Sequence, residues 1–297
     1  MTEFSYNRIM KLKDYISEKN ISIASLAKES GLPYSTVSEV VNGKKALDKC
    51  SAGTVYCIAL ALGTSVEKLL VAESGGSFPD LYSLDEMQSL FLAKRMWDEN
   101  VYCGMKMENR NVTFPQTKTI LEGVNVPGVQ LEDITAILNM RDAWKHLLQT
   151  KNDKLDLDYI CGLNALISRN ESLEWGVLRY GNVGISGTDY KPAVPVREQV
   201  EKDIRSILSS YESATEKALS LFCYIAYRQL FWDGNKRTAM TTANKMLLSH
   251  GAGFLSIKDE DMEQFNTLLM EMYNTGESDK LKGFLYHNSI SGLEIDS

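Results

Sequence analysis

Hydrophobic residues recur at helical spacing along most of the chain, which predicts a mostly α fold. Near the N terminus, Ser22 can cap a helix that ends at Gly31. A second short helix follows Pro33 and ends at Asn42-Gly43, with one apolar face formed by Val37, Val40 and Val41. Helical periodicity continues from Val55 to Leu62, breaks at Gly63 and resumes with a capped start at Ser65. Helix, tight glycine turn and helix in this order predict a helix-turn-helix.

The C-terminal part of the chain carries a second pair of predicted helices. One runs from Ser213 to Leu230, with apolar residues at helical spacing: Leu219, Phe222, Cys223 and Ala226. The other runs from Asn235 to about His250, stops at Gly251 and is expected to bury Ala239, Ala243, Met246 and Leu247. A turn at Trp232-Asp233-Gly234 separates the two helices.

Small and polar residues with two adjacent glycines, from Ala72 to Asp80, indicate a linker. The sequence therefore predicts three parts: a helix-turn-helix domain over 1–72, a linker over 73–83 and a larger helical domain over 84–297. The exception to helix is a stretch near residues 175–190, where glycines flank Val183-Gly184-Ile185 and strand character is predicted.

Composition places the chain among ordinary globular proteins, with 44% hydrophobic and 24% charged residues in 297. Five scattered cysteines without a CxxC pair predict reduced thiols and a cytoplasmic location. The polar start lacks the apolar segment of a signal peptide, and the longest apolar stretch, Val55 to Leu62, is too short to cross a bilayer. We therefore expect no membrane contact.

Charge is distributed unevenly between the two predicted domains. Residues 1–72 carry nine basic and seven acidic residues, a net +2, whereas the whole chain is −7. The asymmetry has the sign that a DNA-binding head needs. The run from Ser22 to Lys45 (SIASLAKESGLPYSTVSEVVNGKK) resembles the Xre/Cro repressor family, whose head domain has the λ-repressor-like helix-turn-helix fold.

That resemblance implies a DNA partner and assigns residues to the contact. The groove-facing side of the recognition helix would present Tyr34, Ser35, Thr36, Ser38 and Glu39, and the phosphates would meet Lys44, Lys45 and Lys49. A homodimer is expected, because such heads read two half-sites. The alternative is a helix-turn-helix that serves only protein contacts, which Glu39 and the weak basic excess leave open.

The most informative segment is Phe231-Trp232-Asp233-Gly234-Asn235-Lys236-Arg237-Thr238-Ala239. The unpaired N–H groups of a helix start bind phosphate, and Gly234 lets the backbone come close. Asp233 is placed to hold Mg²⁺ beside that phosphate, and Arg237 to neutralise its charge. The segment resembles the core motif of the Fic family, which transfers AMP from ATP to protein hydroxyls. The resemblance implies an adenine-nucleotide site at Asp233, Gly234, Asn235, Lys236 and Arg237, with ATP and Mg²⁺ as cofactors.

Two positions depart from the family motif. Gln229 stands where the family has its catalytic His, and an amide has no useful basicity as a general base. Met240 stands where the family has a second arginine, and core packing is its expected role. Glu108 lies in a stretch that resembles the family's regulatory segment, and without that arginine it is expected to lack a salt-bridge partner. The pattern predicts a protein that binds nucleotide with weak or absent transfer.

Two further segments resemble the Fic family, which implies an all-helical Fic-type domain with a small β-hairpin flap. Residues 105–123 look like the regulatory stretch, so the inhibitory role falls to Glu108, with Asn109 after it and Gly104 in place of the family's Ser or Thr. Residues 175–190 look like the flap, where Val183, Gly184 and Ile185 would hold a target protein by strand addition.

Three functions are therefore consistent with the sequence. The first is a DNA-binding regulator whose Fic-like domain binds nucleotide without efficient transfer. The second is an active adenylyltransferase, or a kinase like the related Doc toxins, whose motif the Lys236-Arg237-Thr238-Ala239 run resembles more closely. The third is an antitoxin-like partner that represses an operon and holds another protein by its flap.

Overall fold

The computed structural model of the chain describes residues 12–18, 21–64, 66, 69–70, 78–210 and 212–293. The chain divides into two compact units, Met1–Pro79 and Asp80–Ser297. The second unit thus begins within the stretch 73–83 that the sequence predicts as linker, and residues 73–77 of that stretch lie outside the described residues. Both units are helical, so the mostly α fold class is confirmed.

The first unit is built from short helices: α1 (Leu12–Glu18), α2 (Ile23–Ser30), α3 (Tyr34–Val41), a 3₁₀ turn (Leu47–Lys49) and α4 (Ala52–Leu62). The predicted caps are present, because the Ser25 N–H donates to Ser22 Oγ at 3.0 Å and Gly31 ends α2 with φ 67°. The predicted apolar face of α3 is buried in a core with Leu26 and Ile58. The helix start predicted at Ser65 lies outside the described residues.

The second unit contains nine described helices, most of them longer than those of the first unit. They are α5 (Glu86–Met107), α6 (Phe114–Leu121), α7 (Leu131–Gln149), α8 (Leu157–Ile167), α9 (Arg197–Ser209), α10 (Ala214–Arg228), α11 (Asn235–Ser249), α12 (Met262–Thr275) and α13 (Asp279–Asn288), with a 3₁₀ turn at Asp259–Asp261. Helix α11 packs against α10, α5 and α8 and lies at the centre of the unit. Its many small side chains, such as Ala239 and Ala243, are fully buried and let neighbouring helices approach closely.

The predicted starts of the motif helices and the stop at Gly251 agree with the structure, whereas α10 ends at Arg228 and not at Leu230 as predicted. Helix α10 is capped by the Ser213 hydroxyl, which accepts from the Glu216 N–H at 2.9 Å. Helix α11 begins at Asn235, and Gly251 follows it with φ 66°. Local capping chemistry was sufficient to place these boundaries because each cap is made by residues adjacent in sequence.

The prediction of a strand at Val183–Ile185 is wrong. Residues 177–196 form turns and irregular backbone, and the two-stranded antiparallel sheet pairs β1 (Phe254–Leu255) with β2 (Ile290–Ser291) instead. Gly181, Gly184 and Gly187 interrupt the stretch, and glycine weakens a strand interior. None of the helices in the described part of the chain has the length and hydrophobicity needed to span a bilayer.

Candidate functional site

The loop between α10 and α11 has a fixed shape. Gln229 ends α10 in the left-handed conformation (φ 47°, ψ 63°), and Phe231 is buried beneath the loop. The Asn235 side chain closes the loop on itself: its Oδ1 accepts from the Phe231 N–H at 2.9 Å and its Nδ2 donates to Phe231 O at 2.8 Å. Asn164 supports the loop from α8 by donating to Asp233 O at 3.0 Å.

Gly234 is required at this turn for two reasons. Its φ of 70° lies in the left-handed region, and a Cβ there would lie 3.2 Å from Ile167 Cγ2 and 3.3 Å from Ser168 Cβ. Helix α11 then starts without a side-chain cap. The N–H groups of its first turn have no intrahelical acceptor and carry the positive end of the helix dipole, so this end suits an anion.

Arg237, in the first turn of α11, is fully buried among three carboxylates. Its Nη1 donates to Glu171 Oε1 at 2.9 Å and to Ile167 O at 3.2 Å. Its Nε lies 3.8 Å from Glu108 Oε1 and its Nη2 lies 3.7 Å from Asp233 Oδ1. Nε and Nη2 have no hydrogen-bond partner among the described residues. Burial lowers the pKa of Arg237, but Glu108, Glu171 and Asp233 outweigh it, so the net pKa is raised and the group stays charged.

The prediction that Glu108 lacks a salt-bridge partner is wrong. Glu108 ends α5, and its Oε2 lies 3.2 Å from Lys236 Nζ, while Lys236 also donates to Met107 O. Lys236, in the first turn of α11, is therefore the cation that pairs with Glu108. From the sequence, this cation was expected only at position 240, where the chain has Met. Met240 itself is buried, with Cys103 Sγ 3.6 Å from its sulfur, as core packing predicts.

Asp233 is the most accessible of the three carboxylates around Arg237, with 41% of its side chain exposed. Its Oδ1 accepts from the Gly234 N–H at 2.5 Å. Partial burial raises the pKa of Asp233, and Arg237 and the Gly234 N–H reduce that shift without cancelling it. No group of three or more potential metal ligands occurs among the described residues, and Asp233 is the carboxylate that the loop itself carries. A single carboxylate suits Mg²⁺, which is commonly held by one or two carboxylates together with substrate phosphates.

Gln229 has no group that can accept a proton at neutral pH. Its Nε2 donates to Ala226 O at 2.7 Å and lies 3.3 Å from the Tyr273 hydroxyl, and its Oε1 accepts from Asn235 Nδ2 at 3.2 Å. All polar atoms of the amide are therefore engaged in holding the loop. Burial, followed by the nearby Glu108 charge, raises the pKa of Tyr273 far above its usual range, so this phenol is a poor base as well.

The predicted flap residues lie in a loop that is anchored at both ends. Arg179 is buried, donates through Nε to Gln229 O at 2.5 Å, and contacts Gly181 O at 2.6 Å and Ala193 O at 2.7 Å. Between these anchors, Thr188 Oγ1 donates to Asn274 Oδ1 of α12 at 2.5 Å. Val183, Gly184 and Ile185 lie within this loop and are partly or fully exposed. Asn109, predicted as inhibitory, is a turn residue with φ 54° directly after Glu108.

In the first unit, α3 exposes the residue types expected of a recognition helix. Tyr34 is 58% exposed, Ser35 and Glu39 are exposed, and Thr36 and Ser38 are partly exposed. Ser38 Oγ is engaged with Asn42 Nδ2 at 3.1 Å. Lys44, Lys45 and Lys49, predicted to meet phosphates, are exposed after α3.

A segment of each unit matches a known protein family. Residues 11–74 match the Cro/C1-type helix-turn-helix DNA-binding domain, and residues 154–247 match the Fic/DOC family. The chain thus carries a Cro/C1-type helix-turn-helix domain followed by a Fic/DOC family domain, and both resemblances are confirmed. Protein adenylyltransferase Fic of Nematostella vectensis is 26% identical over 188 residues, which are 58% of this chain and 42% of that protein. The chain therefore spans less than half the length of this curated relative.

Solved structures share the fold. A Fic family protein from Desulfovibrio desulfuricans has a TM-score of 0.55 at 17% identity, over 66% of this chain and 62% of that chain. Fic-1 from C. elegans has a TM-score of 0.55 at 18% identity, over 94% of this chain and 82% of that chain. At such identities the likeness establishes the fold alone.

The structure also brings residues to the site that the sequence did not single out. Glu171 contacts Arg237, and Arg110 contacts Glu171 in turn. Tyr273 contacts Gln229. Glu171 lies in a turn that matches no motif, and its partners are 61 and 66 residues away in sequence. No local signal in the sequence identifies such contacts.

Proposed function

We propose that this protein is a cytoplasmic DNA-binding regulator whose Fic/DOC domain binds the phosphates of an adenine nucleotide but transfers AMP weakly or not at all. The observation that carries the binding half is the unsatisfied edge of Arg237. Nε and Nη2 of this fully buried side chain lack hydrogen-bond partners among the described residues, beside an uncapped helix start. Buried charged donors are rarely left in that condition unless a ligand or water completes them.

Each residue of the loop has a distinct part in that binding. The first N–H groups of α11 donate to phosphate oxygens, Gly234 allows their close approach, and Arg237 contributes its Nε–Nη2 edge. Asp233 would hold Mg²⁺, whose chemistry when bound is to neutralise phosphate charge. The Asn235 side chain is used to shape the loop, so Asn235 contributes to ligand binding only through its main chain.

The weak-transfer half follows from Gln229. Transfer to a hydroxyl requires that a proton leave the attacking oxygen, and a missing general base slows such reactions by about 10²–10⁴-fold. The Gln229 amide is engaged with Ala226 O and Asn235 and cannot take a proton, and the raised pKa of Tyr273 removes this phenol as a substitute.

Calorimetric titration with ATP and with ADP, each with and without Mg²⁺, tests the binding half. We expect that Arg237→Lys weakens binding at least about 10-fold, because it removes the planar edge and keeps the charge. Asp233→Ala should abolish the dependence on Mg²⁺. Arg197→Lys, an exposed substitution in the same unit, is the matched control and should leave affinity unchanged. Absence of binding to any adenine nucleotide would refute the proposal.

A second candidate is an active adenylyltransferase, which the name of the Nematostella relative favours. Incubation of the parent and Gln229→His with α- and γ-labelled ATP and cell lysate separates the candidates. Labelling by the parent at a rate equal to that of Gln229→His supports the active enzyme, and a silent parent supports the nucleotide-binding protein. Label from the γ position alone would indicate a kinase.

For the first unit, we propose a homodimer that reads two half-sites separated by about one helical turn of DNA, ~34 Å. Selection of bound duplexes from a random-sequence pool tests the dimer. Enrichment of a palindrome supports it, and enrichment of a single asymmetric site contradicts it.

The proposal also includes a protein target for the loop over residues 181–193. Main-chain groups of Val183–Ile185 would bind an extended segment of that target.

A further inference from the structure

Among the three carboxylates around Arg237, Glu171 alone forms a hydrogen bond with the guanidinium. Glu171 Oε1 lies 2.9 Å from Nη1, whereas the distances to Glu108 and Asp233 are 3.8 Å and 3.7 Å. The Glu171 side chain is 6% exposed, and its Oε1 also accepts from Asn139 Nδ2 at 3.0 Å. The orientation of the Arg237 plane is therefore set from the Glu171 side.

This orientation has a consequence for ligand binding. Nε and Nη2 form one edge of the guanidinium, and that edge matches two oxygens of a phosphate. With Nη1 occupied by Glu171 and Ile167 O, the free edge faces the Asp233 and Glu108 side. Without Glu171, Ile167 O would be the one hydrogen-bond acceptor left on Nη1 among the described residues, and the guanidinium could turn towards Glu108 and Asp233.

The second oxygen of Glu171 connects the same residue to the turn after α5. Arg110 Nη2 donates to Glu171 Oε2 at 2.5 Å, and Arg110 Nη1 donates to Asp133 Oδ1 at 3.0 Å. Arg110 lies two residues after Glu108, across the left-handed turn at Asn109. The buried Glu171 carboxylate therefore contacts both Arg237 and, through Arg110, the segment that carries Glu108.

We propose that Glu171 is a positioning residue that presents the Nε–Nη2 edge of Arg237 to a nucleotide phosphate and, through Arg110, fixes Glu108 opposite that edge. The ligand in this proposal rests on the proposed function above. The arrangement makes Glu108 the exchangeable carboxylate and Glu171 the permanent one, since Glu108 is 20% exposed and forms no hydrogen bond with Arg237.

A double-mutant cycle on nucleotide affinity tests the first half. The background is Glu108→Gln, which removes the competing carboxylate. Glu171→Gln keeps the shape of the side chain and should weaken ADP binding about 10-fold, because a neutral acceptor holds a guanidinium less firmly. In the same protein carrying Arg237→Lys, Glu171→Gln should change the affinity less than about 2-fold, because a lysine has no edge to present.

If Glu171→Gln weakens ADP binding equally in the presence of Arg237 and of Arg237→Lys, Glu171 only supports the fold. That result would overturn the proposal that Glu171 positions Arg237. No loss in either would overturn it as well. Asp142→Asn is the matched control, because Asp142 also pairs with two arginines, Arg141 and Arg169, and does not contact Arg237.

Two measurements without nucleotide complete the test and separate it from failure of the proposed function. Hydrogen exchange of amides 106–111 should accelerate in Arg110→Gln and in Glu171→Gln but not in Arg197→Gln, and unchanged exchange overturns the second half. NMR of the Arg237 side-chain nitrogens should give separate Nη signals that merge in Glu171→Gln. If no variant binds nucleotide while these signals behave as expected, the proposed function fails and the positioning role stands. If the signals do not merge, the positioning role fails.

Discussion

Lys236 Nζ lies 3.2 Å from Glu108 Oε2, so the acidic residue at the end of α5 is paired with the first turn of α11. This pair places a carboxylate at the helix end that suits an anion, beside the free edge of Arg237. In the proposed function, a nucleotide phosphate would therefore compete with the Glu108 carboxylate for the same positive groups.

The first prediction follows from this competition. Glu108→Gln should tighten ATP and ADP binding by about 10-fold, because the neutral amide no longer competes with phosphate for the two cations. Calorimetry at fixed salt measures the change. Glu99→Gln, an exposed substitution on the same helix, is the control and should have no effect. Weaker binding by Glu108→Gln would show that the carboxylate assists the ligand.

The second prediction concerns the pH dependence of stability at Asp233. Because partial burial raises the pKa of this carboxyl, the folded state binds its proton more tightly than the unfolded state. The ionised group is therefore destabilising above the folded pKa, and this effect disappears as pH falls below the usual Asp range. Asp233→Asn should raise the melting temperature at pH ~7 and leave it unchanged near pH ~3.

Asp142→Asn should have the opposite sign and serves as the comparison. Burial raises the pKa of Asp142, but hydrogen bonds from Arg169 and Arg141 outweigh it, and the net pKa is lowered. Its stabilising effect is complete above the usual Asp pKa and is lost as pH falls through the lower folded value. The variant should be less stable than the parent at pH ~7, by up to about 1 kcal/mol, and equal to it in acid. The same sign for both variants would contradict the assigned environments.

The third prediction concerns Gly104, which lies inside α5 next to Arg237. A Cβ at Gly104 would lie 3.4 Å from Met140 Cε and 3.5 Å from Arg237 Cγ, which are ordinary contacts. Gly104→Ala should stabilise the protein by up to about 1 kcal/mol, because alanine is the better helix former inside α5. Gly162→Ala, with no atom within 4 Å of its Cβ, is the control with a similar gain. Chemical denaturation measures both, and a loss for Gly104→Ala alone would show that the Arg237 stem is more tightly packed.

The motif helices could be predicted from sequence because their determinants are local. Ser213, Gly234 and Gly251 mark helix ends by capping chemistry that needs only adjacent residues. The charge pattern of the site could not be predicted in the same way. Glu171 reaches Arg237 across 66 residues, and the role of Lys236 as partner of Glu108 depends on how α5 packs beside α11.

The irregular backbone of the 181–193 loop has a similar explanation. Its ends are set by Arg179, whose partners are main-chain carbonyls of Gln229, Gly181 and Ala193. Carbonyl groups occur at every residue, so no residue pattern identifies these contacts. The Val-Gly-Ile stretch between glycines predicted a strand there, but none of the described residues forms a strand that pairs with the loop.

The fourth prediction concerns the helix-turn-helix unit. Lys44→Ala and Lys45→Ala should weaken binding to all duplex sequences equally, and each should reduce the slope of log affinity against log salt by about 1. Ser35→Ala and Thr36→Ala should instead change which sequences are preferred. Fluorescence anisotropy with a selected duplex and with a random pool separates the two classes. Lys94→Ala, an exposed lysine of the other unit, is the control. Sequence-selective loss at Lys44 would reassign it to base contact.

Titration of Glu108→Gln with ATP, followed by intact-mass measurement of the same sample, tests most directly whether nucleotide binding and transfer are separated in this protein. We expect saturable binding of one ATP per chain and an unchanged protein mass, because Gln229 cannot accept the proton of an attacking hydroxyl. A mass increase of one AMP, or the absence of any binding heat, would contradict a nucleotide-binding domain without efficient transfer.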